Sequence, residues 1–212
     1  MQRSFGRMRV VLLLSLVAAA GCSSATRLSP SGGAIAASSR PPRSEADVQF
    51  MSGMIPHHAQ AVVIAGWAAS HGARSDVRIL CERIVVGQRD EIGFMQYWLR
   101  ERGEPVPAAT ATHMKMTMNG MEHDMLMPGM LTDEQLAQLD KARGSEFDRL
   151  FLLAMIGHHA GAITMVDQLF AATDAAQDDV VYRVASDVYA DQTTEIERMQ
   201  KILDAVSPGG SR

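Results

Sequence analysis

Aromatic residues make up only 5% of this 212-residue chain, although 47% of it is hydrophobic. β-Sandwich cores draw on aromatic and β-branched residues, so a core of Ala, Val, Leu, Ile and Met points to packed helices instead. Basic charge is also scarce: 20 Lys and Arg face 24 Asp and Glu, a formal charge of −4. That leaves no electrostatic basis for binding nucleic acid. Cysteine is nearly absent, with two in the chain and no Cys-x-x-Cys. There is no Gly-rich phosphate loop and no Ser/His/Asp arrangement. No helical segment carries Glu-x-x-His, the pattern that a carboxylate-bridged di-iron bundle uses twice.

The N-terminus has the form of an export signal. Arg3, Arg7 and Arg9 precede an apolar run, Val10 to Ala20, and then Gly21-Cys22. The run is too short for a stable transmembrane helix and fits a signal peptide over residues 1–21. Ala20-Gly21-Cys22 is similar to a bacterial lipoprotein box, with Ala19 standing where such boxes usually carry Leu. Cys22 is therefore the expected lipidation site, and the protein an exported, membrane-anchored lipoprotein facing the periplasm or cell exterior. Simple secretion is the alternative. Removing residues 1–21, which carry three arginines and no acidic residue, takes the formal charge from −4 to −7. Cys81 is then the one free thiol, in an apolar stretch where a packing role is preferred over a soft-metal ligand.

Residues 22–43 are rich in Ser, Gly, Ala and Pro and read as a flexible tether. From residue 44 to 206 the pattern is helical. Helices are expected over about 45–71, 75–102, 132–172 and 177–206, the third opened by a Thr132/Gln135 capping box and interruptible at Gly144. Residues 104–131 read as a loop. His71, beside Gly72, reads as a helix C-terminal residue near the dipole.

An internal repeat organises the rest. Asp47-Val-Gln-Phe-Met-Ser-Gly-Met-Ile-Pro-His-His-Ala matches Asp148-Arg-Leu-Phe-Leu-Leu-Ala-Met-Ile-Gly-His-His-Ala. Further on, Gln88-Arg-Asp-Glu-Ile-Gly-Phe-Met matches Gln192-Thr-Thr-Glu-Ile-Glu-Arg-Met. Two duplicated helix pairs predict an all-α four-helix bundle, since one pair cannot bury both apolar faces.

The repeat carries the donor residues. Met51 and Met54 lie within one or two turns of His57 and His58; Met155 stands before His158 and His159, and Met165 beyond them. Residues three and four apart share a helix face, so Met54 and Met155 lie near their histidines. Adjacent histidines diverge by about 100°, so one is expected in the core and the other along a groove. Pro56 and Gly157, at equivalent positions, both weaken a helix and suggest either a local distortion or a tolerated kink. Gln88, Glu91, Gln192 and Glu195 form matching polar stripes. They read as surface residues or as groups that orient the histidine rings, rather than as direct ligands.

The loop is the second donor-rich stretch. Between His113 and Met130 it holds His123 and seven methionines: Met114, Met116, Met118, Met121, Met125, Met127 and Met130. Thioether sulfur suits Cu(I), and imidazole suits copper in both oxidation states. Metal capture is preferred over a Met-rich lid packed on the bundle.

The doubled Met-Ile-x-His-His-Ala segments, each followed by a Gln-x-x-Glu-Ile helix, resemble the domain-of-unknown-function 305 family. Met127-Pro-Gly-Met-Leu-Thr-Asp-Glu-Gln-Leu is similar to its usual linker. The resemblance covers about 45–205 and implies a ferritin-like four-helix fold with copper as the bound metal, Cu(I) favoured, handled outside the cytoplasm. It carries Met54, His57, His58, Met155, His158 and His159 over as the principal ligand positions. Three function classes follow: a non-enzymatic copper-binding protein, a di-iron oxidoreductase, or a helical scaffold in which the histidines are incidental. The first is preferred.

Overall fold

The computed structural model describes residues 43–118 and 121–206, except the side chains of residues 115–118 and 122. The signal peptide, Cys22, the tether up to residue 42, and the side chains of Met116 and Met118 lie outside the described residues. Four long helices form the body: α1 (Glu45–Gly66), α2 (Ser75–Arg100), α4 (Gly144–Ala171) and α5 (Asp179–Val206). A short helix, α3 (Asp133–Lys141), packs on α4. The chain is an all-α, ferritin-like four-helix bundle built from two repeated helix pairs, α1 with α2 and α4 with α5, joined through α1 against α4.

Local chemistry fixes the helix starts. Ser44 caps α1 and Thr132 caps α3, each in a reciprocal capping box with the residue three positions on. The expected helix over 132–172 is two helices, parted at Ala142-Arg143, where the backbone turns extended. α1 runs through Pro56 and α4 through Gly157, so neither residue interrupts its helix.

Two differences from the sequence expectation matter. The loop contains a hairpin, β1 (Met114–Met118) antiparallel to β2 (Met121–Met125), with Met114 opposite Met125, Met116 opposite His123 and Met118 opposite Met121. The methionines recur at every second residue, which is strand periodicity. Asn119-Gly120 is the dipeptide that two-residue hairpin turns favour. His71 is also more than a helix end. It is buried, its Nε2 lies 2.9 Å from the Asp140 carbonyl, and it packs on Trp67 and Phe147.

Two equivalent aspartates tie the helix pairs together. Asp47 accepts a 2.7 Å hydrogen bond from the Ala176 amide in the α4–α5 turn. Asp148, its repeat partner, accepts one of 3.2 Å from the Arg74 amide in the α1–α2 turn. Each half thus satisfies a backbone donor of the other, which sets the register in which α1 meets α4.

Candidate metal centre

The apolar core is divided. One cluster holds Phe50, Met51, Met54, Ile92, Met95, Val166 and Val188; the other holds Ile64, Leu80, Ile84, Phe147, Phe151, Met155 and Met199. On every long helix the residues between the clusters are polar: His57, His58 and Gln60 on α1, Gln88 and Glu91 on α2, His158 and His159 on α4, Gln192 and Glu195 on α5. The repeat thus assembles a polar layer across the middle of the bundle.

All four histidines are 0% exposed. The expectation that each pair splits between core and groove is corrected. Packing of α1 against α4 covers one ring of each pair, and packing within each helix pair covers the other. The surface reading of Gln88 and Gln192 is likewise corrected, since both are buried. Glu91 and Glu195 are each 21% exposed and reach inward.

The geometry repeats about a pseudo-twofold axis. His58 Nε2 lies 2.7 Å from Glu91 Oε2, and His159 Nε2 lies 2.7 Å from Glu195 Oε2. The second contact has hydrogen-bond geometry; the first has the distance without the alignment. Ring centroids within each pair are 6.2 Å apart, at 57° and 56°. At the centre, the His57 and His158 ring centroids lie 3.9 Å apart with the rings tilted by 41°.

One interaction breaks the symmetry. His57 Nε2 lies 3.0 Å from the Pro128 carbonyl. A carbonyl only accepts, so Nε2 carries the proton and Nδ1 keeps a free lone pair. Pro128 belongs to a strap, residues 127–131, that crosses α1 and α4. Gln60 holds this strap through both of its amide atoms, 2.9 Å to the Leu131 carbonyl and 2.7 Å from the Leu131 amide. Gly161, the repeat partner of Gln60, admits the strap on the other side, since a Cβ there would overlap the Pro128 carbonyl. Gly129 adopts φ +78°, a left-handed conformation that favours glycine. The sequence reading singled out neither Gln60 nor Gly161. A buried-pattern Gln inside the apolar run Ala59–Ile64 was the available signal.

Electrostatics keep the central rings neutral. Burial, and then the neighbouring His58, push the His57 pKa down to about 3. Burial, followed by His57, His159 and His58, holds His158 well below the usual imidazole range. Neutral imidazole is the form that binds metal. Nδ1 of all four histidines is buried with no hydrogen-bond partner among the described residues. An unsatisfied buried nitrogen costs about 1–3 kcal/mol, so four of them call for a chemical explanation. Where a carboxylate or carbonyl takes one ring nitrogen, the other is oriented for a metal. His57, His58 and His159 match that pattern in position, and the donor set fits a soft or borderline cation. Among the described residues, no three His, Cys, Asp or Glu side chains already surround one point; the donors stand in pairs.

The remaining candidates are distributed. Met51, Met54 and Met155 are fully buried in the two apolar clusters, and Met165 is nearly so. Met130 is buried, and its sulfur accepts from the Met127 amide at 3.2 Å. Met121 and Met125 on the hairpin are 61% and 39% exposed. His123 is exposed, and His113 Nε2 stands 3.4 Å from Asp133 Oδ1. The hairpin's outer donors are therefore not brought to the histidine layer. Cys81 is buried, and burial together with Asp148 pushes its thiol pKa up to about 12, so it is a packing residue.

A family model described as "Domain of unknown function (DUF305)" matches residues 47–203. The chain belongs to the DUF305 family. A curated relative, an uncharacterized protein of Acanthamoeba polyphaga mimivirus, is 34% identical over 56 residues, or 26% of this chain. That match spans 37% of the viral protein's own length. Among solved structures, a candidate secreted DUF305 protein from Streptomyces coelicolor superposes with a TM-score of 0.64 at 24% identity, covering 79% of this chain and 97% of its own. CopM is similar at 25% identity in its Cu(I)-bound form, with a TM-score of 0.58 over 76% of this chain and 98% of CopM. Its Cu(II)-bound form is 26% identical, with a TM-score of 0.57.

Proposed function

We propose that this DUF305 protein is an exported copper-binding protein that holds monovalent copper at the histidine layer and buffers it or passes it on. The observation that carries this reading is the set of four buried imidazoles whose Nδ1 atoms lack partners. His57, His58, His158 and His159 would supply the ligands. Glu91 and Glu195 would orient His58 and His159, and the Pro128 carbonyl would orient His57. In this reading the role is that of a carrier rather than an enzyme. CopM, similar over three quarters of this chain, is known in both Cu(I)- and Cu(II)-bound forms, which supports copper as the cargo. Cu(I) is preferred because the layer is dry and flanked by Met54, Met95, Met155 and Met199. The signal sequence and Cys22 support placement outside the cytoplasm on a lipid anchor.

The test is a Cu(I) competition titration against a chromophoric chelator, comparing the wild-type chain with a His58→Ala/His159→Ala variant. Loss of Cu(I) retention in the variant is expected. Equal retention would overturn the assignment of the layer.

A further inference from the structure

Gly53 lies one helical turn before His57 on α1, about 6 Å along the axis. It is buried, and a glycine inside a helix costs about 1 kcal/mol relative to alanine. Its repeat partner is Ala154, so the bundle itself does not require glycine at this position. Three methionine side chains from three separate segments fill the space a side chain would take. The position of a Cβ on Gly53 lies 3.0 Å from Met127 Cε, 3.5 Å from Met165 Cε and 3.7 Å from Met114 Sδ. Met165 also lacks a methionine twin, since Ile64 stands opposite it in the repeat. Both features that make this notch are therefore confined to the half covered by the strap and hairpin. A cleft of about 190 Å³, lined in part by Gln49, Phe50, Met127 and Met165, adjoins it.

We propose that Met114, Met127 and Met165 form a second, sulfur-only site for a monovalent soft cation, one turn from the histidine layer. Thioethers are neutral, lose no proton on binding and prefer Cu(I) or Ag(I) over hard or divalent ions. Met114 and Met127 sit on the hairpin and strap, and Met165 on α4. The strap and hairpin thus supply two donors and the bundle one. The strap that carries Met127 also bonds His57 through Pro128, which links the sulfur site to the histidine layer through a single residue step.

The cargo, a monovalent soft cation, is taken from the copper reading; the site itself is tested separately. The probe is silver(I) nitrate, added to the mature chain labelled with [methyl-13C]methionine and with 15N-histidine. The ε-methyl resonances of Met114, Met127 and Met165 are expected to shift together on silver addition. A Met114→Leu/Met127→Leu/Met165→Leu variant is expected to lose one silver equivalent, or bind it at least about tenfold more weakly, while the histidine ring shifts persist. Leucine keeps the volume and removes only the sulfur. Still methyls in the wild-type chain, or unchanged silver stoichiometry and affinity in a folded triple variant, would overturn the site. Methyl shifts without any histidine response would leave the sulfur site standing and overturn the histidine-layer reading instead.

Discussion

The imidazoles of His57 and His158 meet with ring centroids 3.9 Å apart and a 41° tilt where α1 packs on α4. Two rings this close, both buried, cannot both be charged without strong repulsion. Their neutrality is thus enforced by the fold, and several outcomes rest on it.

Stability is expected to fall on acidification. The His57 pKa in the folded chain is about 3, below the ordinary value of about 6.5 for an unfolded chain. The unfolded state therefore binds more protons between those values. Its contribution to stability is complete above pH 6.5 and lost as pH falls toward 3, with His158 acting in the same direction. Urea midpoints of the metal-free protein, measured from pH 7.5 to 4.5, are expected to decrease steadily. A flat profile would contradict the buried neutral pair.

Replacing His158 separates binding from structure. Among the described residues neither of its ring nitrogens has a hydrogen bond of good geometry. His158→Leu removes two unsatisfied polar atoms from the buried layer beside His57, so the metal-free variant is expected to melt at or above the wild-type temperature, gaining up to about 2 kcal/mol. Stabilisation by added Ag(I), which a folded-state ligand must produce, is expected to shrink. Thermal melts with and without silver check both. A large loss of metal-free stability with silver response intact would mean a structural histidine.

Glu91→Gln and Glu195→Gln keep side-chain shape but remove the charge beside His58 and His159. Carboxylates behind ligating imidazoles raise ligand basicity, and their loss weakens metal binding by about 10–100-fold. Each single variant is expected to weaken Cu(I) retention in a competition titration, Glu195→Gln the more, because both contacts are 2.7 Å but only His159–Glu195 has hydrogen-bond geometry. An effect confined to one of them would show that the two halves are not equivalent.

Gly161→Ala is expected to push the strap away from α4. The added methyl would overlap the Pro128 carbonyl, backbone that cannot simply rotate aside. A cost of about 1–3 kcal/mol follows, typical of overpacking. The measurable sign is an earlier urea midpoint together with faster amide exchange at Leu131, whose N–H is held by Gln60.

Much of this was legible in the sequence. The duplicated Asp-x-x-Phe…His-His-Ala segments announced two helix pairs, because their apolar spacing has one packing solution. The Thr132/Gln135 capping box marked α3, since that chemistry is local. The burial of all four histidines was not legible: adjacent residues diverge on one helix, and only the second helix pair decides that both directions lead inward. The Gln88 and Gln192 positions misled for the same reason. The hairpin was hidden by weighing methionine as a soft ligand and overlooking its every-second-residue spacing beside Asn119-Gly120. The strap contacts of Gln60 and Gly161 join residues 71 and 33 positions away from their partners, and no local pattern encodes them.

The most direct measurement is 15N NMR of the histidine ring nitrogens during titration of the metal-free chain with one equivalent of Cu(I) under anaerobic conditions. The account predicts that Nδ1 of His57, His58, His158 and His159 moves to the shift of a metal-bound nitrogen while His71 and His123 stay in place. If Cu(I) binds tightly and the four layer histidines do not move, the histidine layer is not the copper site.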